Sequence, residues 1–331
     1  LNKVSLKQGN GVSVIDPNTV SVKQGNRVEL APELVSYAGG PNLAFQFTVN
    51  ATDGTFAIPT VSDGTYNCNI TYDLGGANEV TYSGITTYND ANMSHTFPGG
   101  VGTYTISITG TFTGWRFNNG GDKLKMLAIT NWGDGVLTII HTGAFFGCTS
   151  LTITADGAQK PTFTGALYAI QFMRDCSSVT TVPGMEDWVW STCTSAYQCW
   201  RVAASFNQAL PDMPLITRID DGIRNTIFNQ PFPSMPLVTN INTALTSVSA
   251  FDQDLTSLPW ATITTATNFM LLADGISTVN YDALLLHMDS EVVSSLTVHF
   301  GSATYTGGGA VATARANLVS RGCVITDGGI A

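Results

Sequence analysis

The residues that most often do chemistry are sparse here and badly spaced for it. His95, His141, His287 and His299 form no HxH or HExxH pattern, and none lies near a cysteine or carboxylate motif that would make a triad or a zinc site. Glu186-Asp187 and Asp220-Asp221 are adjacent carboxylates. Neighbours on a strand point to opposite faces, whereas glycoside cleavage needs two converging groups at a controlled separation, so both pairs read as loop residues. Trp132-Gly133-Asp134-Gly135 and Gly120-Gly121-Asp122 offer oxygens for calcium but fall short of an EF-hand ligand set, and read as turns. The sequence therefore predicts no catalytic residue, no metal ligand and no cofactor.

Two sets of side chains could bind or link. Trp188, Trp190, Tyr197 and Trp200, beside Gln198 and Arg201, would form a platform for sugar rings if exposed, or would fill an irregular insert in a core. Cys193 and Cys199 are close enough in sequence for a local disulfide in an oxidising compartment, or are two buried thiols. Asn50, Asn69 and Asn92 head Asn-x-Thr/Ser triplets and are candidate glycosylation sites.

The chain has 331 residues, with 44% hydrophobic and 11% charged residues and a net charge of −10. That hydrophobic content supports packed cores, and the length suits two or three domains. So few cations argue against nucleic acid as a partner. No stretch approaches the run of about 18 apolar residues needed for a membrane span. The uncharged Thr, Ser, Asn, Gln and Gly coat suits extracellular β-proteins and assembly subunits, and a start at Leu1 predicts export with processing.

The elements that must position these residues are mainly β. Residues 1–35 carry an eight-residue echo with apolar residues at Val4, Leu6, Val12, Val14, Val20, Val22, Val28 and Leu30, all even-numbered. One extended chain would align them on one face and reach far enough to be donated to another subunit. The same segment could instead be the first strand and hairpin of the next domain. Residues 36–117 alternate short β-rich runs with turns, predicting a β-sandwich. Within them, the stretch from His95 to Ile108 resembles the closing hairpin of PKD-type immunoglobulin-like domains, with Tyr72-Asp73-Leu74-Gly75-Gly76 at the place of a family motif. The resemblance implies a spacer or adhesion module.

Residues 118–280 change texture. Leu124-x-x-Leu127-x-Ile129, Cys148-x-x-Leu151-x-Ile153 and Cys176-x-x-Val179-x-x-Val182 look like leucine-rich-repeat strands. Phe206-Asn207-Gln208, Phe228-Asn229-Gln230 and Phe251-Asp252-Gln253 recur 22 and 23 residues apart, each followed seven residues later by Met213, Met235 or Leu258. Periods in the twenties signal a solenoid whose units bury their apolar faces by stacking. These units, with Gly143 to Cys148, Phe172 to Cys176 and the closing stretch from Tyr305 to Gly329, resemble BspA-like surface-protein repeats. Met213-Pro214-Leu215 and Met235-Pro236-Leu237 depart from that family's usual core. The resemblance implies attachment or assembly without catalysis, on bacterial surfaces or in phage particles.

Residues 281–331 read as a helix-plus-strand cap, with Asn280 capping a first helix and Gly322 ending a second. The whole predicts a non-enzymatic extracellular or cell-surface structural or adhesive protein whose partners are copies of itself, surface glycans or a host surface. The alternatives are a virion fibre or tail protein for host attachment, and a carbohydrate-binding or carbohydrate-active secreted protein.

Overall fold

The structure, a computed structural model, describes residues 4–8, 11–15 and 44–331. The chain is mainly β with few helices. It divides into two units, residues 1–40 and 41–331.

In the first unit, β1 (Val4–Gln8) and β2 (Gly11–Ile15) form an antiparallel ribbon that sets Val4 opposite Ile15 and Leu6 opposite Ser13. Residues 4–15 are therefore not one extended arm. The two strands run antiparallel, and even-numbered residues of β1 face odd-numbered residues of β2. Val20, Val22, Val28 and Leu30 lie outside the described residues.

The second unit begins with β3 (Ala44–Ala51), β4 (Thr55–Ala57), β5 (Tyr66–Tyr72), β6 (Val80–Ile85), β7 (Ser94–Thr96) and β8 (Gly102–Thr113). In β3, Phe45, Phe47, Val49 and Ala51 are buried while Gln46, Thr48 and Asn50 are half-exposed, the period of two that the pleat imposes. β3 pairs antiparallel with β8, which pairs antiparallel with β5, and β5 with β6. The expected hairpin between His95 and Ile108 does not form: β7 pairs with β4 instead, and this ribbon lays Phe56 5.8 Å from Phe47. Phe97 and Tyr104 stack 3.8 Å apart across the intervening turn.

The expected boundary at residues 117 and 118 runs through one sheet. β9 (Met126–Trp132) pairs with β3, and β10 (Leu137–Ile139) extends β8 in parallel. β11 (Thr152–Ile153) and β12 (Thr162–Phe163) then add in parallel to β9 and β10. This switch to parallel pairing starts a stack of chain turns, here called coils, and the buried residues form one continuous cluster from Phe45 to Cys323.

From residue 166 onward most coils carry turns and single parallel bridges in place of strands, linking Ser195, Arg218, Asn240 and Thr265 in a row. Cys176 to Val182, expected as a strand, is one such turn segment. The amides of Gln171, Met173 and Asp175 donate to the carbonyls of Tyr197, Cys199 and Arg201 at 3.0, 2.8 and 2.8 Å. Those of Gln198, Trp200 and Val202 donate to Asp220, Gly222 and Arg224 at 3.2, 2.8 and 2.9 Å. The intervening amides close local turns, as Arg174 does onto Gln171 and Cys176 onto Met173. Over these segments every second donor thus runs along the stack while the others close turns, so buried backbone without strands still finds partners. This alternation places two left-handed residues four apart in four successive coils: Gln171 and Asp175, Gln198 and Val202, Asp221 and Asn225, Thr243 and Ser247.

The stack closes with α1 (Thr278–Ser290), β13 (Thr297–His299), β14 (Thr304–Tyr305), α2 (Gly309–Ser320), β15 (Val324–Thr326) and β16 (Gly329–Ile330). Ser277, not Asn280, caps α1 by accepting the Asn280 amide, while the Asn280 side chain donates to Asp252 at 2.7 Å. Gly322, at φ +87°, follows α2, a conformation that favours glycine.

Candidate functional site

The aromatic set does not form a surface platform. Trp188, Trp190 and Trp200 are buried, and only Tyr197 is half-exposed, beneath the Arg218 guanidinium 4.6 Å from its ring. Trp190 stacks on Trp200 at 5.5 Å, Trp200 on Phe206 at 5.6 Å, Phe206 on Phe228 at 6.4 Å and Phe228 on Phe251 at 6.2 Å. The phenylalanines of the repeated Phe-Asn/Asp-Gln motif and two of the tryptophans are one aromatic column through the coils. Burying rings of this size is a large apolar gain, and it takes precedence over exposing them to a sugar.

The polar half of the same motif is spent in the same direction. Asn207 Oδ1 accepts the Asn229 amide at 2.9 Å and Gln230 Nε2 at 3.1 Å. One coil on, Asn229 Oδ1 accepts the Asp252 amide at 2.9 Å and Gln253 Nε2 at 2.8 Å. Asp252 Oδ1 then accepts the Ser277 amide at 2.8 Å. Burial works against the Asp252 charge, but donors from Ser277 and Asn280 outweigh it and hold the carboxyl below its ordinary range. A parallel ladder runs through Thr194, Thr217, Thr239 and Thr264, whose amides each donate to the preceding coil at 2.9 to 3.0 Å. Met213, Met235 and Leu258, the apolar residues that follow each motif, are buried.

The adjacent carboxylates are divided between cations. Asp220 pairs with Arg218 at 2.5 Å, whereas Asp221 takes Arg224 at 3.2 Å and Gln198 at 3.3 Å. Burial disfavours ionised Asp221, yet the Gln198, Arg224 and Thr243 donors leave its pKa lowered. Arg174 lies 4.5 Å over the Phe146 ring and donates to Gln198 Oε1 at 2.5 Å. A carboxylate held ionised by fixed donors is a poor proton donor or acceptor near neutral pH, so this network is suited to tying three coils together.

All six cysteines are free and buried, so Cys193 and Cys199 are the two buried thiols of the alternatives the sequence left open. Cys193 Sγ is engaged with the Ser195 carbonyl at 3.3 Å, and burial raises the pKa of both thiols. His95 stacks on Tyr72 at 4.3 Å, His141 meets Asp63 at 2.9 Å, and His299 Nδ1 accepts the Gly301 amide at 2.9 Å. Asp122 is committed to Lys125 at 3.0 Å and the Ala57 amide at 2.7 Å, and Asp134 sits exposed on its turn. Among the described residues no three His, Cys, Asp or Glu side chains gather as a metal site. Asn69 is exposed on β5, with Oδ1 accepting the Gly84 amide; Asn50 and Asn92 are half-exposed.

One constellation escaped the sequence reading. Half-exposed Phe163 is 5.2 Å from Trp188 and 5.7 Å from Trp190, so it is the solvent-facing edge of the buried tryptophan cluster. It lines a cleft of about 270 Å³ with Asp134, Lys160, Thr162, Val189 and Ser191. Its members come from three coils with no common spacing, so only the fold brings them together. The chain matches no family model, no curated protein and no solved structure.

Proposed function

We propose that the protein is a non-enzymatic structural or adhesive subunit that works outside the cell, built as an immunoglobulin-like spacer followed by a leucine-rich-repeat-like solenoid of the BspA type. One observation carries the reading: the repeated Phe-Asn/Asp-Gln motif, the most conspicuous pattern in the sequence, is consumed by coil-to-coil bonds. Repeats committed to stacking bury their apolar faces against one another and leave no motif free for chemistry, which suits a structural role. The Asp220 and Asp221 carboxylates, divided between Arg218 and Arg224, are in keeping with a protein that makes and breaks no bonds. Negative-stain imaging of the full chain at high concentration tests this: filaments or end-joined particles are expected, and particles that stay single throughout would count against assembly.

The Phe163 cleft favours a second reading, carbohydrate binding, because an aromatic face ringed by Asp134, Lys160, Thr162 and Ser191 suits a sugar ring. Glycan-array binding lost in Phe163→Ala, without turnover of the bound sugar, would support it. An array with no ligand would end it.

A further inference from the structure

Phe146, Arg174, Arg201 and Arg224 occupy the same place in four successive coils. The Phe145 and Gly147 amides donate to the Phe172 and Arg174 carbonyls at 2.8 and 2.9 Å, those of Met173 and Asp175 to Cys199 and Arg201, and those of Trp200 and Val202 to Gly222 and Arg224. Each bracketed residue therefore lies beside the next, at the spacing of about 4.8 Å that backbone ladders impose. The side chains follow the backbone at the start of this column, where the Arg174 guanidinium covers the Phe146 ring at 4.5 Å.

Three like charges at that spacing repel, and their surroundings answer them unequally. Arg174 has Asp175 at 3.8 Å and Gln198 Oε1 at 2.5 Å, and Arg224 has Asp221 at 3.2 Å. Arg201, between them, makes no side-chain hydrogen bond and has no carboxylate within 4.0 Å among the described residues. Asp220 next door is held by Arg218 at 2.5 Å. Three guanidiniums beside two carboxylates leave one positive charge in a chain of net charge −10. The Nε atoms of all three arginines are buried without a partner, so their terminal nitrogens are the edge open to a ligand. Arg174 and Arg224 each commit Nη1 and keep Nη2 unbonded, whereas Arg201 keeps both.

We propose that this column binds a tetrahedral oxyanion, a sulfate or phosphate group, with Arg201 as the central donor and Nη2 of Arg174 or Arg224 as the second. The donors come from successive coils and so are stacked, not coplanar. A planar carboxylate meets one guanidinium edge at a time, whereas a tetrahedral anion directs oxygens towards two coils at once. The group can arrive as the free ion or as the sulfate ester of a sugar. The site shares no residue with the Phe163 cleft, and the inference depends on neither reading above.

Calorimetric titration of the full chain with sodium sulfate and with sodium phosphate, at an ionic strength fixed with sodium chloride, tests it. One-site saturable binding is expected, weakened at least about tenfold in Arg201→Gln. Arg201→Lys, which keeps the charge and loses the fork, should weaken it less. As a check independent of any variant's folding, the wild-type Arg201 Nε–H NMR signal should shift saturably with sulfate and stay in place with chloride at equal ionic strength. Glucose 6-sulfate bound at least about tenfold more tightly than inorganic sulfate would support a sulfated sugar as the source, and equal affinity would support the free ion. Neither anion binding saturably, an affinity unchanged in Arg201→Gln, or an Arg201 signal that moves equally with chloride would each overturn the site.

Discussion

Asn229 accepts the Asp252 amide hydrogen through Oδ1 at 2.9 Å, across 23 residues of sequence and one coil of the stack. The same oxygen holds Gln253, so one short side chain satisfies two donors of the next coil. Replacing Asn229 by Ala strands the partly buried Asp252 amide and should cost about 2 kcal/mol, read from denaturant unfolding. Asn229→Asp keeps the acceptor and should cost less. Equal losses would mean that the oxygen is not what matters.

Arg315 and Asp327 join α2 to the loop between β15 and β16, and Tyr281 of α1 adds a third bond to the same carboxylate at 2.7 Å. Arg315→Met leaves Asp327 buried and uncompensated, a change worth about 3–5 kcal/mol. The loss should be concentrated at the C-terminal end, with amide exchange accelerating in residues 309–331 and barely changing in β3. Tyr281→Phe should cost about 1 kcal/mol.

Acid should weaken the protein in two stages. His95 is buried against Tyr72, and burial lowers its pKa, so the fold prefers the neutral ring. Stability is then complete above the unfolded histidine value of about 6.5 and declines as pH falls below it. The carboxyls come next. Lys125 and Thr55 lower the Asp53 pKa to about 2, and Arg321 with Asn317 lowers that of Asp289. Their contribution is full above about pH 4 and disappears as pH falls through the folded values. Thermal midpoints from pH 7 to pH 2 check both stages, and His95→Gln should flatten the first alone.

Thiol chemistry should be silent in the native state. Burial raises the Cys68 pKa to about 11 and carries those of Cys148 and Cys199 well above the ordinary range. Alkylation should modify no described cysteine until denaturant is added, then all six, with the same melting midpoint with and without reductant. A reductant-dependent midpoint would indicate a disulfide.

Much of the fold was legible wherever a pattern was local and periodic. Alternation in Phe45 to Val49, Tyr66 to Tyr72 and Thr103 to Ile108 marks strands that form, and the recurrence at Phe206, Phe228 and Phe251 reports the stacking it requires. Partners were not legible. Nothing near His95 in the sequence says that β7 pairs with β4, or that β9 returns to the far side of β3. Exposure was not legible for the same reason: Trp188, Trp190 and Trp200, open to either a platform or a core in the sequence, are buried by rings from other coils, and half-exposed Phe163 is named by no motif.

The coil ladders also have a mechanical meaning. Their hydrogen bonds lie along the direction in which coils succeed one another, so tension applied that way loads each junction in series, opening one junction at a time and releasing chain in parcels of about two dozen residues. A body built like this would yield in steps under load and regain its coils by re-stacking once released.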